Sequence, residues 1–221
     1  LEAVKPLLKA KGYDLEIVEF TDYVTPNIAV NEGELDANFF QHLPYLEEFN
    51  KNKNTDLVKT VNVHLEPMGL YSNKIKALSE LEDGATIAVP NDPTNESRAL
   101  DILVKEGLLT FKDVDFKTVV DIIENPKNLK IKELDAPQLP RVLDEVDAAI
   151  INTNYALSAN LNPLKDAIII ESKDSPYANI VVVKKGNENK DSIKALNEAI
   201  NSEEIRTFIK EKYQGSIVEA F

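Results

Sequence analysis

VPNDPTNESRAL (89–100) follows a short apolar run, ATIAVP (85–90), and leads into helical spacing that stops at Gly107. An apolar run of that length, bounded by turn formers, reads as a buried strand. Asp92 suits an N-cap with Pro93 at the first helical position, although Thr94 or Asn95 can serve a little later. Either way a helix N-terminus, with unpaired N–H groups and partial positive charge, stands at the carboxyl end of a strand. Arg98 lies about one turn inside this helix and carries a fork suited to a carboxylate. The alternative is a well-capped helix in which Arg98 pairs with Glu96 or a neighbour.

Outward from this stretch, strand and helix alternate. Upstream, LEAVKPLLKAK (1–11) reads as a helix stopped at Gly12, and DLEIVEF (14–20) as a strand. Pro26 and Asn27 open a short helix that ends at Gly33. LDANFF (35–40) reads as a buried strand, HLPYLEEFNKN (42–52) as a helix, and 57–72 as extended chain broken by Pro67. A short helix capped by Ser79 precedes Gly84. Downstream, NLKIKEL (128–134), DAAIIN (147–152), DAIIIE (166–171) and NIVVVKK (179–185) read as strands, with helices near 137–145, 153–160 and 191–212. Strands separated by helices imply right-handed crossovers and mostly parallel sheets. The strands suit two small sheets better than one large one, and no Gly/Ser-rich linker or repeat divides the chain. An α/β fold of this kind binds ligands at the carboxyl ends of its strands and in clefts between lobes.

At 221 residues the chain can bury roughly 70% of its unfolded surface, so its core needs no staple. It has no Cys, which removes disulfides, thiolate metal sites and cysteine nucleophiles together. The formal net charge of −13 disfavours binding to nucleic acid or to anionic lipid. The longest apolar runs, such as Ile180 to Val183, fall far short of the about 20 residues a bilayer requires. The chain opens at Leu1 within helical spacing, so nothing follows about a targeting segment.

Three further clusters are candidates for chemistry. NFFQHLPYL (38–46) sets Phe40, His42 and Tyr45 at a strand-to-helix turn, either as an apolar slot with polar edges or as core with His42 capping the helix. INTNYA (151–156) ends a buried strand in Asn152, and DSPYANIVVV (174–183) opens one through Tyr177 and Asn179. Amides at strand ends hold an ammonium or carboxylate, or simply form turns. His42 and His64 are the only histidines and lack metal-ligand spacing, so no metal and no cofactor is expected. No GxSxG, P-loop or GxGxxG occurs, which favours a binder over a catalyst.

Taken together, DYVTPN (22–27), LDANFFQHLPYL (35–46), PMGLYS (67–72), VPNDPTN (89–95) with Arg98, ENPKNLKI (124–131), ELDAPQLPR (133–141), INTNYA (151–156) and DSPYANI (174–180) resemble the NlpA/MetQ family of methionine-binding lipoproteins. Eight collinear motifs run nearly the length of the chain. The resemblance implies a type II periplasmic-binding-protein fold of two α/β lobes with a ligand cleft between them. Residues 1–75 and 175–221 would form lobe I, and 76–174 lobe II. It also implies a monomeric, extracytoplasmic binder of methionine or a close relative, held to the membrane by an N-terminal lipid anchor and serving an ABC permease and ATPase. Tyr23, Phe40, His42, Tyr45 and His64 would hold the ligand side chain. Arg98, helped by Asn95, would pair with the carboxylate, and Asn152 and Asn179 would hold the amino-acid backbone. An enzyme or a ligand sensor on the same fold is the alternative.

Two departures from the family stand out. Glu96-Ser97 replace residues that are commonly small or apolar, which implies a different cleft mouth. The family's first strand, which precedes a helix like 1–11, is also absent from this sequence, so the natural protein is expected to extend upstream of Leu1.

Overall fold

The computed structural model describes residues 1–172 and 175–221. After a 3-10 turn the chain forms α1 (Lys5–Ala10), α2 (Thr25–Glu32), β1 (Asn38–His42), α3 (Leu43–Lys53), β2 (Leu57–Leu65) and β3 (Gly69–Tyr71). There follow β4 (Thr86–Pro90), α4 (Pro93–Lys105), β5 (Thr110–Phe111), β6 (Ile122–Glu124), β7 (Lys130–Leu134), β8 (Ala148–Ile151), α5 (Thr153–Ser158), α6 (Pro163–Asp166) and β9 (Ile169–Ile170). The chain ends with β10 (Ala178–Lys184), α7 (Asp191–Ile200), α8 (Glu203–Tyr213) and β11 (Val218–Glu219).

These elements form two compact units. One is Leu1–Glu66 together with the C-terminal segment ending at Phe221, and the other begins at Pro67 and holds the described residues up to Ser172. Residues 67–75, set in the first lobe by the sequence reading, belong to the second unit, because β3 pairs with β8 and β9. The expected boundary at 174/175 and the first residue of the 174–183 turn, Asp174, touch positions outside the described residues.

In the first unit the strand order is β1-β10-β2-β11, and every pairing is antiparallel. The expectation of mostly parallel sheets fails here for a specific reason. The helical crossover β1–α3–β2 does leave β1 and β2 running the same way, but β10 returns late in the chain and fills the space between them, opposed to both. The apolar core packs Val30, Leu46, Phe49 and Leu57 with Ile180 and Val182 of that inserted strand. Gly33, at φ 83, closes α2 in the left-handed conformation that glycine adopts without strain. Ser202 accepts from the Ile205 N–H and starts α8, so the single helix read over 191–212 is two.

Residues 14–20, read as a strand, join no sheet. Tyr13, Leu15 and Ile17 alternate as half-buried residues with exposed Asp14, Glu16 and Val18, so the strand-like period is present. Among the described residues, though, the segment has no ladder partner, and a strand is defined by its ladder. With Leu35 and Phe39 it borders a cavity of about 520 Å³.

The second unit carries the order β7-β4-β8-β3-β9, with β4 parallel to β7 and to β8 and the β3 pairings antiparallel. Met68, Leu70, Ile87, Val89, Leu100, Leu103 and Ile150 are fully buried in its core. A two-stranded ladder of β5 and β6 is an addition that the sequence reading did not contain.

Candidate functional site

In the first unit, strand register gathers the residues singled out from sequence. On β10, Asn179 lies opposite His42 of β1 on one side and His64 of β2 on the other. Residues directly opposed across antiparallel strands share a face, so His42, Asn179 and His64 form one row. His42 also ends β1 and caps α3, its Nδ1 accepting from the Tyr45 N–H at 3.2 Å. The turn this creates sets Tyr45 against Phe40, and Tyr23 joins them. Ring centroids are 5.8 Å apart for Tyr23–Phe40 and 6.0 Å for both Tyr23–Tyr45 and Phe40–Tyr45, while the Tyr45 hydroxyl donates to the Tyr23 carbonyl at 2.8 Å. Tyr177, which the sequence reading placed in a turn and left out of the site, packs its ring 4.9 Å from His42.

His64 is oriented by Glu66, whose Oε1 is 2.7 Å from Nε2. An ionised carboxylate only accepts, so Nε2 carries the hydrogen. Asn179 Nδ2, itself a donor, approaches that nitrogen at only 3.4 Å. This is proximity rather than a second hydrogen bond. Phe39 closes the other side of His64 with an edge contact at 5.1 Å.

In the second unit, β4 and β8 are parallel neighbours, so their carboxyl ends stand side by side. The first runs into the Asp92 cap of α4 and the second into Asn152, the N-cap residue of α5. The Asn152 side chain makes no capping bond. Its Nδ2 donates instead to Asn95 Oδ1 at 2.9 Å, and its Oδ1 is buried with no hydrogen-bond partner among the described residues. Asn95 Nδ2 in turn donates to both oxygens of Asp92, each at 3.0 Å. Burial pushes the Asp92 carboxyl above its usual range despite bonds from Asn95 and Thr94.

Arg98 is 4% exposed and pairs with a carboxylate that the sequence did not single out. Its Nε lies 3.0 and 3.1 Å from the two oxygens of Glu171, and Nη2 completes the fork. Glu171 Oε2 also accepts from the Met68 N–H at 3.1 Å. Glu171 carries no signal in the sequence. It ends the apolar run DAIIIE, and nothing local connects it to an arginine 73 residues earlier.

Glu96 and Ser97, read as altering a cleft mouth, anchor backbone within their own unit: Ser97 Oγ accepts from the Lys117 N–H at 2.9 Å and Glu96 Oε1 from the Val119 N–H at 3.3 Å. Burial, reinforced by the charge of Glu133, pushes the Glu96 carboxyl up to about 7. Among the described residues no cluster of acidic or imidazole groups is arranged to hold a metal ion, and no helix is long and apolar enough to cross a membrane.

Two α/β units, one carrying an aromatic cluster and the other a set of polar groups at its strand ends, define the two-lobed periplasmic-binding class. The chain belongs to the NlpA lipoprotein family, which matches it over residues 1–221. The D-methionine-binding lipoprotein MetQ of Escherichia coli is 45% identical, aligned over 100% of this chain and 83% of its own length. A nutrient-binding protein from Burkholderia cenocepacia, solved bound to methionine, superposes with a TM-score of 0.97 at 48% identity, over 100% of this chain and 94% of that one. A crystal structure of the methionine-binding protein MetQ gives 0.96 at 45% identity, over 100% and 92%.

Proposed function

We propose that this protein is the extracytoplasmic substrate-binding component of an ABC importer, that it binds methionine or a close relative, and that it hands the ligand to a membrane permease driven by an ATPase. On this reading it works as a lipid-anchored monomer and binds without turnover. The observation that carries the proposal is Asn152. A buried amide oxygen without a partner is costly, about 1–3 kcal/mol, and an α-ammonium is a donor of the right kind to satisfy it. Methionine-binding relatives at 45–48% identity over the whole chain support the same ligand class.

The residues divide by chemistry. Arg98 takes the carboxylate, with Asn95 beside it. Nε and Nη2 of the same guanidinium donate to Glu171, which holds the fork in place. Asn152 and Asn179 hold the amino-acid backbone. Tyr23, Phe40, His42, Tyr45 and His64 receive the side chain, where each sulfur–ring contact contributes about 0.3–1.5 kcal/mol.

Mass spectrometry of the small molecule released on denaturing the purified protein tests the reading, together with calorimetric titration of the stripped protein. Methionine, its D-isomer or a methionine derivative is the expected release product. Recovery of an unrelated solute, with no heat on adding methionine, would refute it.

A further inference from the structure

Asp92, Asn95 and Asn152 form a directional chain. The orientation of an amide is ambiguous by shape but not by bonding, because one end only donates and the other only accepts. Asp92 offers acceptors, so the Asn95 Nδ2, 3.0 Å from both its oxygens, is correctly its donor end. Asn95 must therefore turn Oδ1 toward Asn152, and only Nδ2 of Asn152 can meet it, at 2.9 Å. That leaves Oδ1 of Asn152 pointing away, buried and with no partner among the described residues. Asn95 and Asn152 are 2% and 7% exposed, so solvent does not scramble the order. The chain exists because β4 and β8 run parallel and end together, bringing side chains 57 positions apart into contact.

We propose that Asp92 is a positioning residue for recognition of the ligand's α-amino group. Through Asn95 it locks the Asn152 amide with its oxygen, not its NH2, presented to the ligand. This rests on the reading of the protein as a methionine binder and adds to it the selection of a protonated amine over an analogue that lacks one. Were the Asn152 amide reversed, its NH2 would face an ammonium, donor against donor. Asp92 does not touch the ligand in this scheme.

Asp92 is also the cap of α4, its Oδ1 accepting from the Asn95 N–H at 3.0 Å, so the test must separate capping from orientation. Asp92→Ser keeps a good cap but is too short to hold the Asn95 amide. Asp92→Asn is isosteric and caps equally well, yet it offers an amide of its own whose direction is not imposed. Wild type and both variants are titrated calorimetrically with L-methionine and with γ-methylthiobutyrate, which is methionine without its amino group. We expect either variant to bind methionine on the order of 10- to 100-fold more weakly, while γ-methylthiobutyrate changes by less than about 3-fold, so the preference for the amine collapses. Equal loss for both ligands, or no loss for either, would show that Asp92 is only a helix cap and overturn the proposal. If one variant does not fold, the other carries the same comparison. Failure of wild type to bind methionine would instead bring down the underlying reading, an outcome separate from equal loss in the variants.

Discussion

Arg98 and Glu171 place opposite full charges in the interior of one unit, with side chains 4% and 5% exposed. Removing one member of such a pair leaves the other charge buried and uncompensated, at a cost of about 3–5 kcal/mol. Arg98→Ala is therefore expected to lower the melting temperature as well as weaken methionine. That mixture would obscure the role of Arg98 in the ligand site. The double replacement Arg98→Met with Glu171→Gln removes both charges. Thermal unfolding of this variant is expected close to wild type, while calorimetry shows methionine affinity reduced by about 2–5 kcal/mol, the usual loss for a desolvated carboxylate partner. Methionine binding unchanged in the double variant would assign Arg98 to structure alone. Phe40 is stacked on Tyr23. Phe40→Ala is expected to weaken methionine about 5- to 30-fold and to narrow its advantage over alanine in a competition titration. At this scale much of the candidate site was legible: Asn152 and Asn179 stand at strand ends, and His42 sits where a cap belongs. Glu171 was not legible, because its partner is fixed by packing across β3 and α4 and not by any local pattern.

The helix α4 buries Thr94 through Leu100 without a break, polar residues included. An amphipathic stripe cannot do this, and each buried polar group therefore needs its own partner. Glu96 and Ser97 find theirs in the backbone of residues 117–119. With its carboxyl raised to about 7 from an ordinary 4.5, Glu96 is held more readily in the protonated form by the folded protein than by the unfolded chain. The stability it contributes is complete below pH 4.5 and is lost as pH rises through about 7. This amounts to about 1–3 kcal/mol. Denaturant melts of Glu96→Gln between those pH values are expected to lack that part of the wild-type slope, and an identical slope in the variant would exclude Glu96 as its source. On β3, a Cβ at Gly69 would lie 3.0 Å from the buried Tyr71 ring. Gly69→Ala is expected to cost about 1–3 kcal/mol by overpacking, read from the denaturation midpoint. Most elements were readable from period and punctuation. The β5–β6 ladder was not, because strands of two and three residues carry too little pattern. The segment 14–20 was misread, because alternation reports a half-buried face and says nothing about a ladder partner.

For the whole molecule, a ligand that binds only the folded state stabilises it by mass action. Methionine at about 100 times its dissociation constant contributes about 2.7 kcal/mol. For a chain of this size that corresponds to a rise of about 5–10 °C in melting temperature. Differential scanning fluorimetry is expected to show the rise with methionine and none with alanine at equal concentration; equal shifts would show that the side chain is not being recognised. Readable along the chain alone were the α/β class, the strand-to-helix turns that carry Asp92, Asn152 and His42, and a family resemblance spread over the whole length. These depend on local period, caps and residue type, which survive in one dimension. It took the folded chain to reveal that β10 inserts between β1 and β2 to align His42, Asn179 and His64, that β3 belongs to the second unit, and that Arg98 closes on Glu171. Each of these is a pairing between distant segments. Their partners are chosen by hydrogen-bond ladders and by the cost of leaving charge unpaired in a dry interior, and neither leaves a local trace in the order of residues.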